Sequence, residues 1–95
     1  MAAAVSQGRI ILRLYVAGDA PNSRRALANV RAICAEHFAN HHELEVVDML
    51  EQPARAFMDG VIVTPTLVKL SPLPVRRVLG DLSNTSKVLE TLGDA

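Results

Sequence analysis

The hydrophobic pattern divides the chain into strand-like and helix-like segments. Ile10–Val16 is apolar except at Arg13 and β-branched at Ile10, Ile11 and Val16, which predicts a central strand buried on most of both faces. Gly18–Pro21 reads as a turn. Beyond it, Leu27, Val30, Cys34 and Phe38 recur at helical spacing. Arg24, Arg31 and Glu36 fall on the opposite, wet face, and Asn22 is placed to cap the first turn. Asn40–His42 ends this helix, and Leu44–Met49 reads as a second strand with Glu43 and Glu45 near its start. Strand, helix, strand makes a βαβ unit, whose right-handed crossover requires parallel strands with the helix on one face.

In the second half, Pro53–Met58 reads as a short helix with Pro53 in its first turn. Val61–Thr64 and Thr66–Leu70 flank Pro65, Ser71–Pro74 is a proline-bearing turn, and Val75–Leu79 is a further β-rich run. Thr66–Leu79 is therefore expected to form a β-hairpin. Ser83 is placed to cap a last helix running through Leu92, with Gly93 just past its end. The order β-α-β-α-β-β-α, a parallel pair followed by a hairpin with helices on both faces, is the thioredoxin-like arrangement. Val63-Thr64-Pro65-Thr66 agrees with it. A proline entering a strand has no N–H for the ladder, so a cis bond at Pro65 is expected as a structural device. Met1–Gly8 reads as a flexible N-terminal tail and residues 9–95 as a single domain.

Composition narrows the function classes. The chain has 95 residues, 49% hydrophobic and 3% aromatic, which fits one small globular domain with an aliphatic core. Lys+Arg 10 against Asp+Glu 10 leaves no net charge, which argues against a nucleic-acid partner. No apolar run approaches the roughly 20 residues of a membrane helix, and no secretory leader is recognisable. The expectation is a cytoplasmic protein that does not engage a membrane.

Candidate chemistry is sparse. A thioredoxin-like oxidoreductase needs a low-pKa cysteine where the first strand meets the first helix. Here that loop reads Asp19-Ala20-Pro21-Asn22-Ser23. The single cysteine, Cys34, lies on the apolar helix face and reads as a small core residue. His37 and His41 stand four apart, but they sit with His42 at a helix end, where solvated histidines are ordinary, so no metal is expected. No Gly-rich phosphate loop is present, so neither a cofactor nor an enzymatic role is indicated. The charges are nonetheless segregated. Glu43, Glu45, Asp48, Glu51 and Asp59 occupy a stretch in which Arg55 is the only base, while Arg24-Arg25 and Arg76-Arg77 form basic pairs. Arginines on an edge strand block aggregation and also suit docking to an acidic protein surface.

Several blocks together resemble the KaiB family of cyanobacterial clock proteins. They are Leu14-Tyr15-Val16-Ala17-Gly18, Pro21-Asn22-Ser23, Arg25-Ala26-Leu27, Thr64-Pro65-Thr66-Leu67, and Pro74-Val75-Arg76-Arg77 followed by Gly80-Asp81-Leu82-Ser83. The likeness runs from about Ile11 to Leu89. The sensory domain of a clock-associated histidine kinase is a further resemblance, poorer around Asp81-Leu82-Ser83.

The resemblance implies a non-enzymatic, circadian-rhythm binding module that docks on the ring ATPase KaiC and also meets a KaiA-like protein or a histidine kinase. It implies fold switching as well. A tetrameric ground state, β-α-β-β-α-α-β, rearranges from about Glu51 onward into a thioredoxin-like monomer. Pro65 and Pro74 can each open a helix as readily as a strand edge, which is compatible with two packings. Arg25, Arg76 and Arg77 are the expected polar contacts, with Phe57, Met58 and Asp59 in the shaped surface around them. Gly60 departs from the family's lysine near the KaiC contact. The sequence also stops at Ala95, short of the family's acidic tail, which favours the thioredoxin-like form. The alternative is a thioredoxin-like stress or signalling module in a host without a full clock.

Overall fold

The computed structural model describes residues 9–93, so the tail expected at 1–8 lies outside the described residues. Its centre is β1 (Ile10–Val16), flanked by β2 (His42–Asp48) on one side and β3 (Thr66–Ser71) on the other. β4 (Arg76–Leu79) completes a four-stranded sheet in the order β2-β1-β3-β4. β1 and β2 are parallel, and β3 and β4 form the antiparallel hairpin. β1 and β3 are also antiparallel, with a register shift between Ile11 and Leu12. The fold is thioredoxin-like, with the β-α-β-α-β-β-α order that the hydrophobic pattern predicts.

The two sheet faces are covered unequally. Ile10, Leu12, Leu14 and Val16 of β1 face α1 (Pro21–His37) and α3 (Thr85–Leu92), packing with Ala26, Val30, Ile33, Cys34, Val88 and Leu92. Tyr15 faces the opposite way, into a smaller cluster with Val47, Val61, Val68 and Ala56 of α2 (Pro53–Met58). This segregation follows from the two-residue period of a strand sandwiched between helical layers.

Three local expectations need correction. The first helix begins at Pro21, whose missing N–H costs nothing at that position, and Ala20 takes the cap position without a side-chain bond. Asn22 therefore does not cap the helix; its side-chain oxygen accepts from the Arg25 guanidinium. At the last helix Asn84, not Ser83, is the cap, accepting from the Lys87 N–H at 3.1 Å. Ser83 is held one residue earlier in an Asx turn, its N–H donating to Asp81 Oδ1 at 3.0 Å. The second strand starts at His42, ahead of Leu44, because the Ile10 N–H reaches the His41 carbonyl at 2.8 Å and opens the ladder there. Gly93, at φ 88, closes α3 in the left-handed region as its position predicts.

Leu14 is completely buried in the central strand. Leu14→Ala is expected to lower stability by about 2–5 kcal/mol in urea unfolding, while Leu73→Ala, in the exposed hairpin turn, stays within about 0.5 kcal/mol.

Candidate functional site

The second face of the sheet carries a charge that the strand pattern does not accommodate. Arg13 sits mid-β1 beside Tyr15, with Glu45 as its cross-strand partner on β2 and Val68 on β3. Its Nε donates to Glu45 Oε1 at 2.9 Å and its Nη1 to Asp59 Oδ2 at 2.8 Å. Asp59 is the residue that ends α2. The Tyr15 hydroxyl donates to the same Asp59 carboxylate or to the Arg55 carbonyl oxygen 3.1 Å away. Arg55 grips Glu45 with both terminal nitrogens, at 2.6 and 2.9 Å, a bidentate pair of the stronger kind.

Burial works against the Arg13 charge, but the hydrogen bonds to Asp59 and Glu45 outweigh it and raise its pKa above the ordinary guanidinium value. The bonds from Arg55 and Arg13 hold the Glu45 carboxyl down to about 2. Asp59 is lowered chiefly by the Tyr15 hydroxyl and then by Arg13. Tyr15 is raised by burial and by the adjacent Asp59 carboxylate.

Around this network the surface is apolar. Phe57, Met58 and Ile62 are 83%, 82% and 89% exposed, and Val63 and Leu79 are also open to solvent. Gly60, Val61, Ile62, Val63, Thr66, Arg77 and Leu79 line a shallow groove of about 290 Å³. Clustered apolar exposure of this kind marks interaction sites on small proteins. Arg77, whose neighbour across the hairpin is Val68, reaches over the groove and donates to the carbonyl oxygens of Gly60, at 3.0 Å, and Asp59.

The structure thus brings Phe57, Met58, Asp59 and Arg77 together. Arg76, next along β4 and opposite Lys69, is exposed and makes no side-chain hydrogen bond or ion pair among the described residues. Arg25 is elsewhere, on α1, where it bonds Asn22 and pairs with Asp81 at 3.6 Å. Pro65 is buried at the start of β3, and its peptide bond is cis, as are those of Pro72 and Pro74, which the sequence does not announce. Arg13, Tyr15, Glu45 and Arg55 escape a motif search. The signal that points to them is Arg13 itself, a lone charge in a buried strand that must find partners. Cys34 is buried and its thiol pKa is raised by that burial, the opposite of a reactive cysteine. His42 Nδ1 is 2.8 Å from the Phe38 carbonyl oxygen, and no group of three metal-ligating side chains occurs among the described residues.

Fold and site together define a thioredoxin-like domain that carries an exposed apolar groove beside a charge network on one sheet face. Solved structures agree on the fold. The N-terminal domain of SasA from Synechococcus elongatus superposes with a TM-score of 0.73 at 26% identity, covering 92% of this chain and 86% of that one. A Fasciola hepatica thioredoxin superposes at 0.74 with 23% identity, covering 98% and 86%. The family is settled by sequence. The KaiB domain model matches residues 13–93. The circadian clock protein KaiB3 of Synechocystis is 46% identical over 85 residues, 90% of this chain and 83% of the relative. The circadian clock oscillator protein KaiB of Prochlorococcus marinus is 52% identical over 79 residues, 83% and 75% of the two chains. The chain belongs to the KaiB family.

The Glu45 shift has a pH signature. A carboxyl lowered from 4.5 to about 2 contributes stability that is complete above pH 4.5 and lost as pH falls toward 2. The urea midpoint of the wild type is expected to drop through that window, and the Glu45→Gln variant should show a shallower drop.

Proposed function

We propose that this KaiB-family chain is a non-enzymatic regulatory module that docks on a KaiC-like ring ATPase and modulates its signalling. The observation that carries the reading is the groove lined by exposed Ile62, Val63 and Leu79 with Arg77 over it, next to α2, which leaves Phe57 and Met58 exposed. An apolar centre with an arginine rim is the usual anatomy of a protein–protein interface. The family resemblance supplies the partner class, with a KaiA-like protein or a histidine kinase as further partners. A cytoplasmic site of action accords with a single, unpaired, buried cysteine.

The docking-competent form in this reading is the thioredoxin-like monomer. The tetrameric ground state implied by the family is the other form, and the mass of the free protein and of the complex, by light scattering, distinguishes them. The fold shared with the SasA domain supports a second reading, a thioredoxin-like stress or signalling module in a host without a full clock. Binding to the ring ATPase separates the two readings.

Purified protein is expected to co-elute with a KaiC-like ring in at least one nucleotide state. Ile62→Asp should weaken the complex by a factor of about 30 or more, as a charge placed in a desolvated interface centre does, and Arg76→Glu by a smaller factor. Failure to co-elute in every nucleotide state would remove the ATPase as partner. In an insulin-reduction assay with dithiothreitol, turnover is expected to equal the background, because the only thiol is buried.

A further inference from the structure

The two arginines of β4 look equivalent in sequence, yet their surroundings differ. Arg76 is free of side-chain bonds among the described residues, whereas the Arg77 guanidinium is spread over two backbone carbonyls, those of Asp59 and Gly60. Those carbonyls belong to the turn that leaves α2 and leads into exposed Ile62 and Val63. Gly60 holds this turn at φ 69, in the left-handed region, and a Cβ there would lie 3.5 Å from the Arg77 guanidinium. The other side of the turn is held by the Asp59 carboxylate, anchored to the sheet through Tyr15 and Arg13.

We infer that Arg77 and Asp59 are positioning residues for the docking surface: together they clamp the Asp59–Gly60 turn and set the presentation of Ile62. This rests on the docking reading above and deepens it. A guanidinium fork can bond two carbonyls at once, and a lysine ammonium cannot reproduce that planar geometry. The distinction between charge and clamp can therefore be read from Arg77→Lys, which keeps the charge and removes the fork.

The test measures two things on the full chain. Amide hydrogen exchange by NMR in the free protein follows Asp59, Gly60 and Val61, whose N–H groups bond Arg55, Phe57 and Ala56 carbonyls in the native turn. Equilibrium binding to the KaiC-like ring follows docking. In Arg77→Lys, exchange at these three amides is expected to speed up about tenfold or more, with the Leu12 and Leu14 amides of β1 unchanged. Affinity should fall about fivefold or more, and Ile62→Ala should cost less in this background than in the wild type. Asp59→Asn should reproduce the local loosening, and Arg76→Lys should leave exchange unaltered.

Near-native affinity in Arg77→Lys would show that only the charge matters and overturn the inference. Lost affinity with unchanged exchange would make Arg77 a direct contact and overturn it equally. Loosened exchange with native affinity would show that the clamp does not serve docking. If the wild type binds no ring at all, the docking reading fails, and the exchange data alone decide the clamp: local loosening upholds it and unaltered rates reject it.

Discussion

The second face of the sheet depends on how the charge of Arg13 is met inside the fold. A guanidinium rising from the central strand is partly withdrawn from water, so its charge is met by carboxylates on neighbouring elements. Glu45 is supplied by the neighbouring strand in register. Asp59 has to be brought in from a different element, so α2 must end directly over Arg13. That placement turns Ala56 inward to the Tyr15 cluster and leaves Phe57 and Met58 outward. The exposed apolar surface is in this sense a geometric by-product of pairing one partly buried cation.

The same scaffold in redox proteins presents a reactive thiol at the end of the first strand. In this chain the corresponding loop is a structural joint. Ser23 is buried and its hydroxyl accepts from the Ala17 N–H at 3.0 Å, while Asp48 accepts from the N–H groups of Gly18 and Leu50. Loop polar groups that a redox enzyme would turn toward substrate are here engaged in holding the loop to α1 and β2. Cys34, three turns into α1, behaves as a core residue.

Much of the fold was legible because it rests on periodicity. The apolar run Ile10–Val16 requires a central strand, and a helix between two strands requires parallel pairing. The hairpin follows from β-rich runs around a proline turn. Cap positions differ from the expectation at α1 and α3: Pro21 opens α1 one residue ahead of Asn22, and Asn84 takes the cap over Ser83, a residue of similar cap propensity. The candidate site was legible in part. Phe57, Met58 and Arg77 stand out as an apolar pair and a basic pair near a turn, but their proximity depends on β4 lying at the sheet edge beyond β3. Arg25 belongs to a basic pair in sequence and to an intramolecular contact with Asp81 in space. The Arg13–Asp59 bond joins residues with no local relation, so periodicity cannot announce it.

The unequal covering of the sheet carries a consequence for association. One face is sealed by two helices, one of them long. The other has a single helical layer of six residues over a small cluster. The thin side is therefore the side where sub-global opening begins, while the thick side sets the global stability. A partner seated on the thin side acts as the missing outer layer of the domain. Its binding free energy is then shared between contact and the ordering of that layer, and occupancy of the surface and rigidity of the α2 segment become two readings of one thermodynamic quantity.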